Sequence, residues 1–272
     1  MYRHRFNLTS HPLPKNAIGK TFFDQSPGYQ KLKKRFTEFA SDPGLGVLIG
    51  PPGIGKTAAI RNLCAELPKP NHLVLYLCDT AVSPLDLYRT LALELGVTPS
   101  HRRAQLWADI KKALVHLVDE RNISPLVVID EAQHLSDKFL IDLSGFLNFA
   151  FDSRELLTLW LVGLPPLMSH LKMQQHAALA TRIATEVHLE ALERAPFLAM
   201  IDHGLKASGA TQKCVADPAL ELLFRTSRGV PRLASKILLT SLRRAHDKDQ
   251  NFVDEAVMEQ AIDETVLPTG AL

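Results

Sequence analysis

The octapeptide Gly50-Pro51-Pro52-Gly53-Ile54-Gly55-Lys56-Thr57 constrains the fold of this chain more than any other feature. It fits G-x-x-x-x-G-K-[ST] and stands between an apolar run, Val47-Leu48-Ile49, and a segment with Ile60, Leu63 and Leu67 at helical spacing. A strand that feeds a helix through a glycine-rich turn is the opening unit of a parallel α/β sheet. In such a turn the glycines let backbone N–H groups face inward, Lys56 reaches phosphoryl oxygens, and the Thr57 hydroxyl binds a divalent cation. The bland alternative is a turn that merely joins strand to helix. With both flanks in place, Gly50 through Ala58 predict a nucleoside triphosphate site.

A second run strengthens this reading. Leu126-Val127-Val128-Ile129 is a buried-strand pattern that ends in Asp130 and Glu131, the form expected of a Walker B strand in a P-loop ATPase. There Asp130 holds Mg²⁺ through water, and Glu131 polarises the attacking water.

The chain has 272 residues, 46% hydrophobic and 22% charged, enough for a sizeable core divided into a larger and a smaller domain. It has no apolar run of the roughly 18 residues that a membrane span needs, and Arg3 and Arg5 are not followed by an apolar secretory segment, so cytoplasmic residence without a membrane partner is expected. Cys64, Cys78 and Cys214 lack the paired spacing of a zinc site or a disulfide framework. The eleven histidines show no H-x-x-x-H pattern, so a metal site made of protein ligands alone is not expected, and Mg²⁺ should arrive with the nucleotide. Net charge is only +2, so contact with nucleic acid must rest on local patches. Three qualify: Lys31, Lys33, Lys34 and Arg35; His101, Arg102 and Arg103; Arg243 and Arg244. Each alone also fits a solvated helix face.

Residues 1–43 read as a polar, proline-containing lead with a helix from about Tyr29 to Ala40. From 44 to 192 strands and helices alternate. Strands are expected at Val47–Ile49, Leu73–Leu77, the Walker B run, Leu156–Val162 and Glu186–Leu189, and helices at Pro84–Leu95, Ala104–Glu120 and Lys138–Phe151. This order implies a parallel sheet covered by helices on both faces, with the site at its carboxyl edge. In 193–272 only helical patterns remain, near Pro196–Ala207, Pro218–Thr226, Pro231–His246 and Asp254–Thr265, which reads as a small all-helical lid.

Walker A, Walker B and then a helical lid resemble the AAA+ superfamily over nearly the whole chain. Within Ser227-Arg228-Gly229-Val230-Pro231-Arg232 the G-x-P-R form resembles the sensor 2 motif, which implies that Arg232 contacts the γ-phosphate, with Arg228 as a neighbouring alternative. Thr181-Arg182-Ile183 looks like the position from which such proteins offer an arginine finger to the next subunit. Positive charge there meets the negative charge that grows on phosphoryl oxygens during transfer. Where the superfamily has a polar sensor 1 residue, this chain has Gly163 and Leu164; water positioning then falls to Gln133 or His134, and slow, stimulated hydrolysis is expected.

The opening Met1-Tyr2-Arg3-His4-Arg5-Phe6-Asn7-Leu8, the stretch Asp130-Glu131-Ala132-Gln133-His134-Leu135, and Leu161-Val162-Gly163-Leu164-Pro165-Pro166-Leu167 are similar to the ExeA/GspA-like group, which overlaps with transposition-regulator ATPases of the MuB, TniB and TnsC kind. The resemblance implies an ATP- and Mg²⁺-dependent regulator of transposition. It would assemble with ATP as a hexameric ring or helical filament on double-stranded DNA, contact the backbone without reading sequence, and recruit a transposase. His101, Arg102 and Arg103 are the first candidates for the DNA face, and Lys31, Lys33 and Lys34 the second. The other reading is an envelope secretion-assembly ATPase, against which stands the expectation that no membrane span or periplasmic portion follows Leu272. An initiator or helicase loader would add a winged-helix domain, for which no residues remain.

Overall fold

The computed structural model describes residues 2–14, 26–150 and 153–265. In chain order its elements are α1 Tyr2–Arg5, α2 Pro27–Ser41, β1 Leu45–Ile49, α3 Lys56–Glu66, β2 His72–Leu77, α4 Pro84–Glu94, α5 Arg103–Asp119 and β3 Ser124–Ile129. A 3₁₀ turn Ala132–His134, α6 Asp137–Phe146, β4 Thr158–Gly163, α7 Pro166–Leu171, a second 3₁₀ turn Gln174–His176, α8 Ala177–Ala180 and β5 Ile183–His188 follow. The last four are α9 Arg194–Ala207, α10 Asp217–Ser227, α11 Pro231–Asp247 and α12 Glu255–Thr265. Two compact units are formed, one from the described residues of 30–52 and 59–189, the other from those of 1–29, 53–58 and 190–272.

The first unit is built on a five-stranded parallel sheet in the order β2-β3-β4-β1-β5. Its inner strands are buried on both sides, as the continuous apolar runs require. One face, with Val47, Ile49, Val127, Ile129, Leu159 and Leu161, packs on helices that project Leu87, Tyr88 and Leu91 from α4, Leu106, Ile110 and Leu114 from α5, and Phe139 and Leu143 from α6. On the other face Trp160 is fully buried against Phe36 and Phe39 of α2, with ring centroids 6.1 and 5.6 Å away. Helix starts follow their caps: the Ser83 side chain accepts from the Asp86 N–H ahead of Pro84, and Ser136 from the Phe139 N–H.

The sequence reading needs three corrections here. Helix α6 ends at Phe146, not 151; Ala150 adopts a left-handed conformation, and Phe149, still buried, bridges to Arg154. Residue 151 itself lies outside the described residues. The run Leu147-Asn148-Phe149-Ala150 keeps apolar spacing because Phe149 serves the core from a turn. Strand β5 starts earlier than expected, at Ile183, and the short helices α7 and α8 carry too few residues to show a period.

The second unit is all-helical in its core, with Phe197, Leu223, Ile237, Leu238, Leu242, Val257 and Met258 of α9 to α12 closed over by Tyr2, Phe6 and Leu8. Arg5 fastens α1 by hydrogen bonds to Asp249 and Asn251. The amino-terminal segment thus packs with residues near the far end of the chain. Among the described residues, no helix is long and apolar enough to cross a membrane.

Candidate nucleotide site

In the sheet unit, strand register aligns three chain exits at one edge. Ile49 of β1 lies opposite Gly163 of β4, and Ile129 of β3 opposite Leu161, so Gly50, Asp130 and Leu164 all leave the sheet on the same side. The carboxyl edge of a parallel sheet, where strand order reverses, is where such folds bind ligands.

Asp130 is buried and both its carboxylate oxygens are engaged. The Glu131 N–H donates to Oδ1 at 2.8 Å, and the Tyr76 hydroxyl donates to Oδ2 at 2.9 Å. Tyr76 is the last residue but one of β2, on the neighbouring strand; burial, and then this hydrogen bond, push its phenol well above the ordinary range, so it remains a donor. Glu131 itself is left-handed, at φ 51° and ψ 35°, a costly conformation for a side chain with a Cβ. Two contacts fix it: the Thr80 hydroxyl donates to its carbonyl at 2.9 Å, and the Gln133 amide donates to its carboxylate at 2.7 Å. The other end of Gln133 accepts the Leu164 N–H at 3.0 Å. A Cβ on Gly163 would stand 2.7 Å from that Gln133 oxygen. The glycine at the expected sensor 1 position therefore makes room for a glutamine that reaches the same place from the 3₁₀ turn. His134 is exposed.

In the other unit, residues 53–58 form the centre of the phosphate loop. Gly53 and Gly55 have φ of +80° and +103°, the region open to glycine, and a Cβ on Gly55 would meet nothing within 4 Å. Ile54 and Lys56 are buried, while Pro51, Pro52 and Thr57 are exposed. Lys56 opens α3, so the positive dipole end of that helix faces the loop. Within this unit the open space beside Gly55, the ammonium and the Thr57 hydroxyl are groups of the kind that take a triphosphate; in the sheet unit the Asp130 carboxylate is of the kind that takes Mg²⁺.

The arginine-bearing turn between α10 and α11 lies in the same unit as residues 53–58. Arg228 and Gly229 are both left-handed, at φ 50° and 72°, and reverse the chain between the two helices. Pro231 opens α11, and the Arg232 N–H donates to the Gly53 carbonyl at 3.2 Å. A Cβ on Gly53 would approach the Arg232 Cβ to 2.9 Å. Arg232 is thereby anchored at the phosphate loop by its backbone, with its side chain exposed; Arg228 is exposed too.

Residues 38–171 match the family model of the AAA domain. That stretch, just under half of the chain, reads as an AAA domain. Over 244 residues it is 28% identical to General secretion pathway protein A of Aeromonas hydrophila, an alignment that takes in 87% of this chain and 43% of that protein. The chain thus spans less than half the length of this relative. Among solved structures, the Aeropyrum pernix ORC2 protein in its ADPNP-ADP complexes is similar with a TM-score of 0.74 at 16% identity, covering 96% of this chain and 72% of that one. The Aeropyrum pernix ORC1 protein in complex with DNA has a TM-score of 0.70 at 14% identity, covering 93% and 68%. At these identities the likeness is one of fold. Family and fold together are those of AAA+ P-loop ATPases.

Placed on this AAA+ frame, the remaining candidates separate. Arg182 immediately precedes β5, whose Ile183 pairs with Leu45 at the start of β1. It lies at the amino edge of the sheet, a strand length away from the edge where Gly50 emerges. Arg103 pairs with Asp142 at 2.7 Å and stacks over Trp107 at 4.4 Å, while His101 and Arg102 are exposed. Lys31 donates to the Glu186 carbonyl at 2.7 Å, Lys33 stands 3.8 Å from Glu66, Arg35 pairs with Glu38, and Lys34 is exposed. Arg244 pairs with Glu264 at 2.6 Å. Tyr76 and Thr80 were missed in the sequence, since nothing local distinguishes them from an edge-strand tyrosine and a turn threonine.

Proposed function

We propose that this chain is an ATP-dependent assembly ATPase in which nucleotide bound at one copy is completed by an arginine of the next. Lys56 and the loop from Gly50 to Ala58 hold the phosphates, Thr57 and Asp130 hold Mg²⁺, Glu131 activates water, and Arg232 reads the γ-phosphate. The observation that carries the reading is the place of Arg182. At the amino edge of β5 it is a strand length from the edge of its own sheet where Gly50 emerges, and on this reading it serves the chemistry from a neighbouring copy.

The finer reading is a regulator of transposition. ATP joins subunits into a ring or filament, exposed side chains such as Arg102, His101 and Lys34 meet the backbone of double-stranded DNA, a transposase is recruited, and hydrolysis releases the assembly. A solved relative in fold is described in complex with DNA, which supports the DNA part. The likeness to General secretion pathway protein A supports the second reading, an ATPase of an envelope secretion-assembly system, at least as strongly. On the first reading the protein acts in the cytoplasm away from membranes; on the second it works beside one. On the transposition reading the transposase meets either the tail after Val266, which lies outside the described residues, or an exposed helix face.

Electron microscopy with duplex DNA, with and without a non-hydrolysed ATP analogue, separates the readings. Nucleotide-dependent rings or filaments on DNA, weakened by Arg102→Ala and by added salt, favour the transposition reading. Nucleotide-dependent assembly that ignores DNA at every salt concentration favours the secretion reading. Arg103→Ala is the poorer probe because it also breaks the Asp142 pair.

A further inference from the structure

Asp137, His170 and His176, none of them assigned to the nucleotide site, converge on one another. Asp137 is the first residue of α6, behind the Ser136 cap; His170 is in the last turn of α7; His176 closes the second 3₁₀ turn. Both imidazole Nε2 atoms face one carboxylate oxygen, Asp137 Oδ1, at 2.6 and 2.9 Å. The two rings stand edge to face with centroids 5.1 Å apart, and the three ligating atoms lie within 4.8 Å of one another. We propose that these three side chains form a site for a divalent transition-metal ion of the zinc type.

The donor set points to that class. Two imidazole nitrogens and one carboxylate oxygen suit Zn²⁺, Co²⁺ or Ni²⁺, whereas Mg²⁺ prefers oxygen ligands throughout. The site also has a built floor and an open side. His176 is fully buried and His170 is 22% exposed, so two ligands are held by packing, while Asp137 at 55% exposure leaves a way in. A tetrahedral ion bonded at about 2.0–2.1 Å sets its ligand atoms roughly 3.3 Å apart. The carboxylate must therefore withdraw by less than an ångström, which its exposed side chain can do by rotation. Three protein ligands leave a position for water, and the Gln175 amide lies 3.3 Å from His176 Nε2.

The alternative is a metal-free clamp in which both imidazoles donate to the carboxylate. That clamp sets His176 in a dry environment with its Nδ1 lacking a hydrogen-bond partner among the described residues, an unfavourable burial for the return of one hydrogen bond. A nitrogen–metal bond at Nε2 leaves Nδ1 equally unpartnered and differs from the clamp in replacing one hydrogen bond by a ligand bond. An ion here fastens α6, which follows the Glu131 turn, to the segment that leads on to Arg182.

The test uses the full chain carrying Cys78→Ser, since that exposed thiol offers an adventitious ligand. After chelator treatment it is titrated with Co²⁺ and then Zn²⁺. The expected result is one Co²⁺ per chain, with the visible absorption of a nitrogen- and oxygen-ligated ion that Zn²⁺ displaces. His170→Ala and Asp137→Asn each weaken binding by about 100-fold or more. Both positions are partly exposed, and circular dichroism confirms that the variants are folded. Absence of a bound-cobalt spectrum, or equal affinity in the folded variants, overturns the proposal and leaves the hydrogen-bonded clamp.

Discussion

Gln133 joins the Glu131 carboxylate to the backbone at the end of β4, and that pair of hydrogen bonds sets the aim of the group we propose to activate water. Glu131 is held left-handed by neighbours, so the loss of one anchor lets the turn relax. We expect Gln133→Ala to lower ATP turnover by about 10-fold or more while nucleotide affinity changes little, because a mis-aimed base affects the chemical step. Gly163→Ala should act in the same direction, since its Cβ would displace the glutamine oxygen. Steady-state turnover beside a fluorescent-nucleotide titration checks both; unchanged turnover contradicts the assignment. At this scale Lys56, Thr57, Asp130 and Glu131 could be named as candidates from the sequence, because the proposed chemistry requires those types at those spacings. Gln133 was only half legible: the missing sensor residue at Gly163 shows in the sequence, but which side chain fills the gap is set by contact between two distant turns.

Elements were legible wherever caps and period agreed, as in α4 with Ser83 and Pro84 and in α5 with Leu106, Ile110 and Leu114. They were not where a residue serves the core from a turn, as Phe149 does, or where an element is as short as α7. The turn between α10 and α11 rests on Gly229, whose φ of +72° is matched by a close approach: a Cβ there would stand 2.1 Å from the Leu192 carbonyl oxygen. Backbone cannot yield as a side chain can, so Gly229→Ala should destabilise by about 2 kcal/mol or more and misplace Arg232, read as a lower melting midpoint with weakened ATP binding. Phe6, 4% exposed, is part of the core of the helical unit. Phe6→Ala should cost about 3–5 kcal/mol in denaturant unfolding. The exposed pair in which both Arg154 guanidinium nitrogens donate to Asp119 should matter little, but with a definite sign. The guanidinium holds Asp119 below the ordinary carboxylate range, so its contribution is present above that range and fades as pH falls through the lowered pKa. Melting curves of the protein and of Asp119→Asn should therefore converge on acidification.

For the whole molecule, the alternation of strands and helices foretold the parallel sheet, and the loss of strand signals after β5 foretold the helical unit. The packing of Tyr2, Phe6 and Leu8 among α9 to α12 was not foretold, because a partner so distant along the chain leaves no local pattern. What the copies assemble on is likewise unwritten in any spacing, since backbone contact with DNA needs only exposed cations and those are common. The shared use of a nucleotide by two copies can be tested directly by measuring turnover in an equal mixture of Lys56→Ala and Arg182→Ala proteins. Each variant alone should be inactive. The mixture should regain about a quarter of the unmodified rate, since half of the sites keep an intact loop and half of those face an intact arginine. Full activity of Arg182→Ala alone, or no recovery from a mixture that sedimentation shows to co-assemble, would contradict the account.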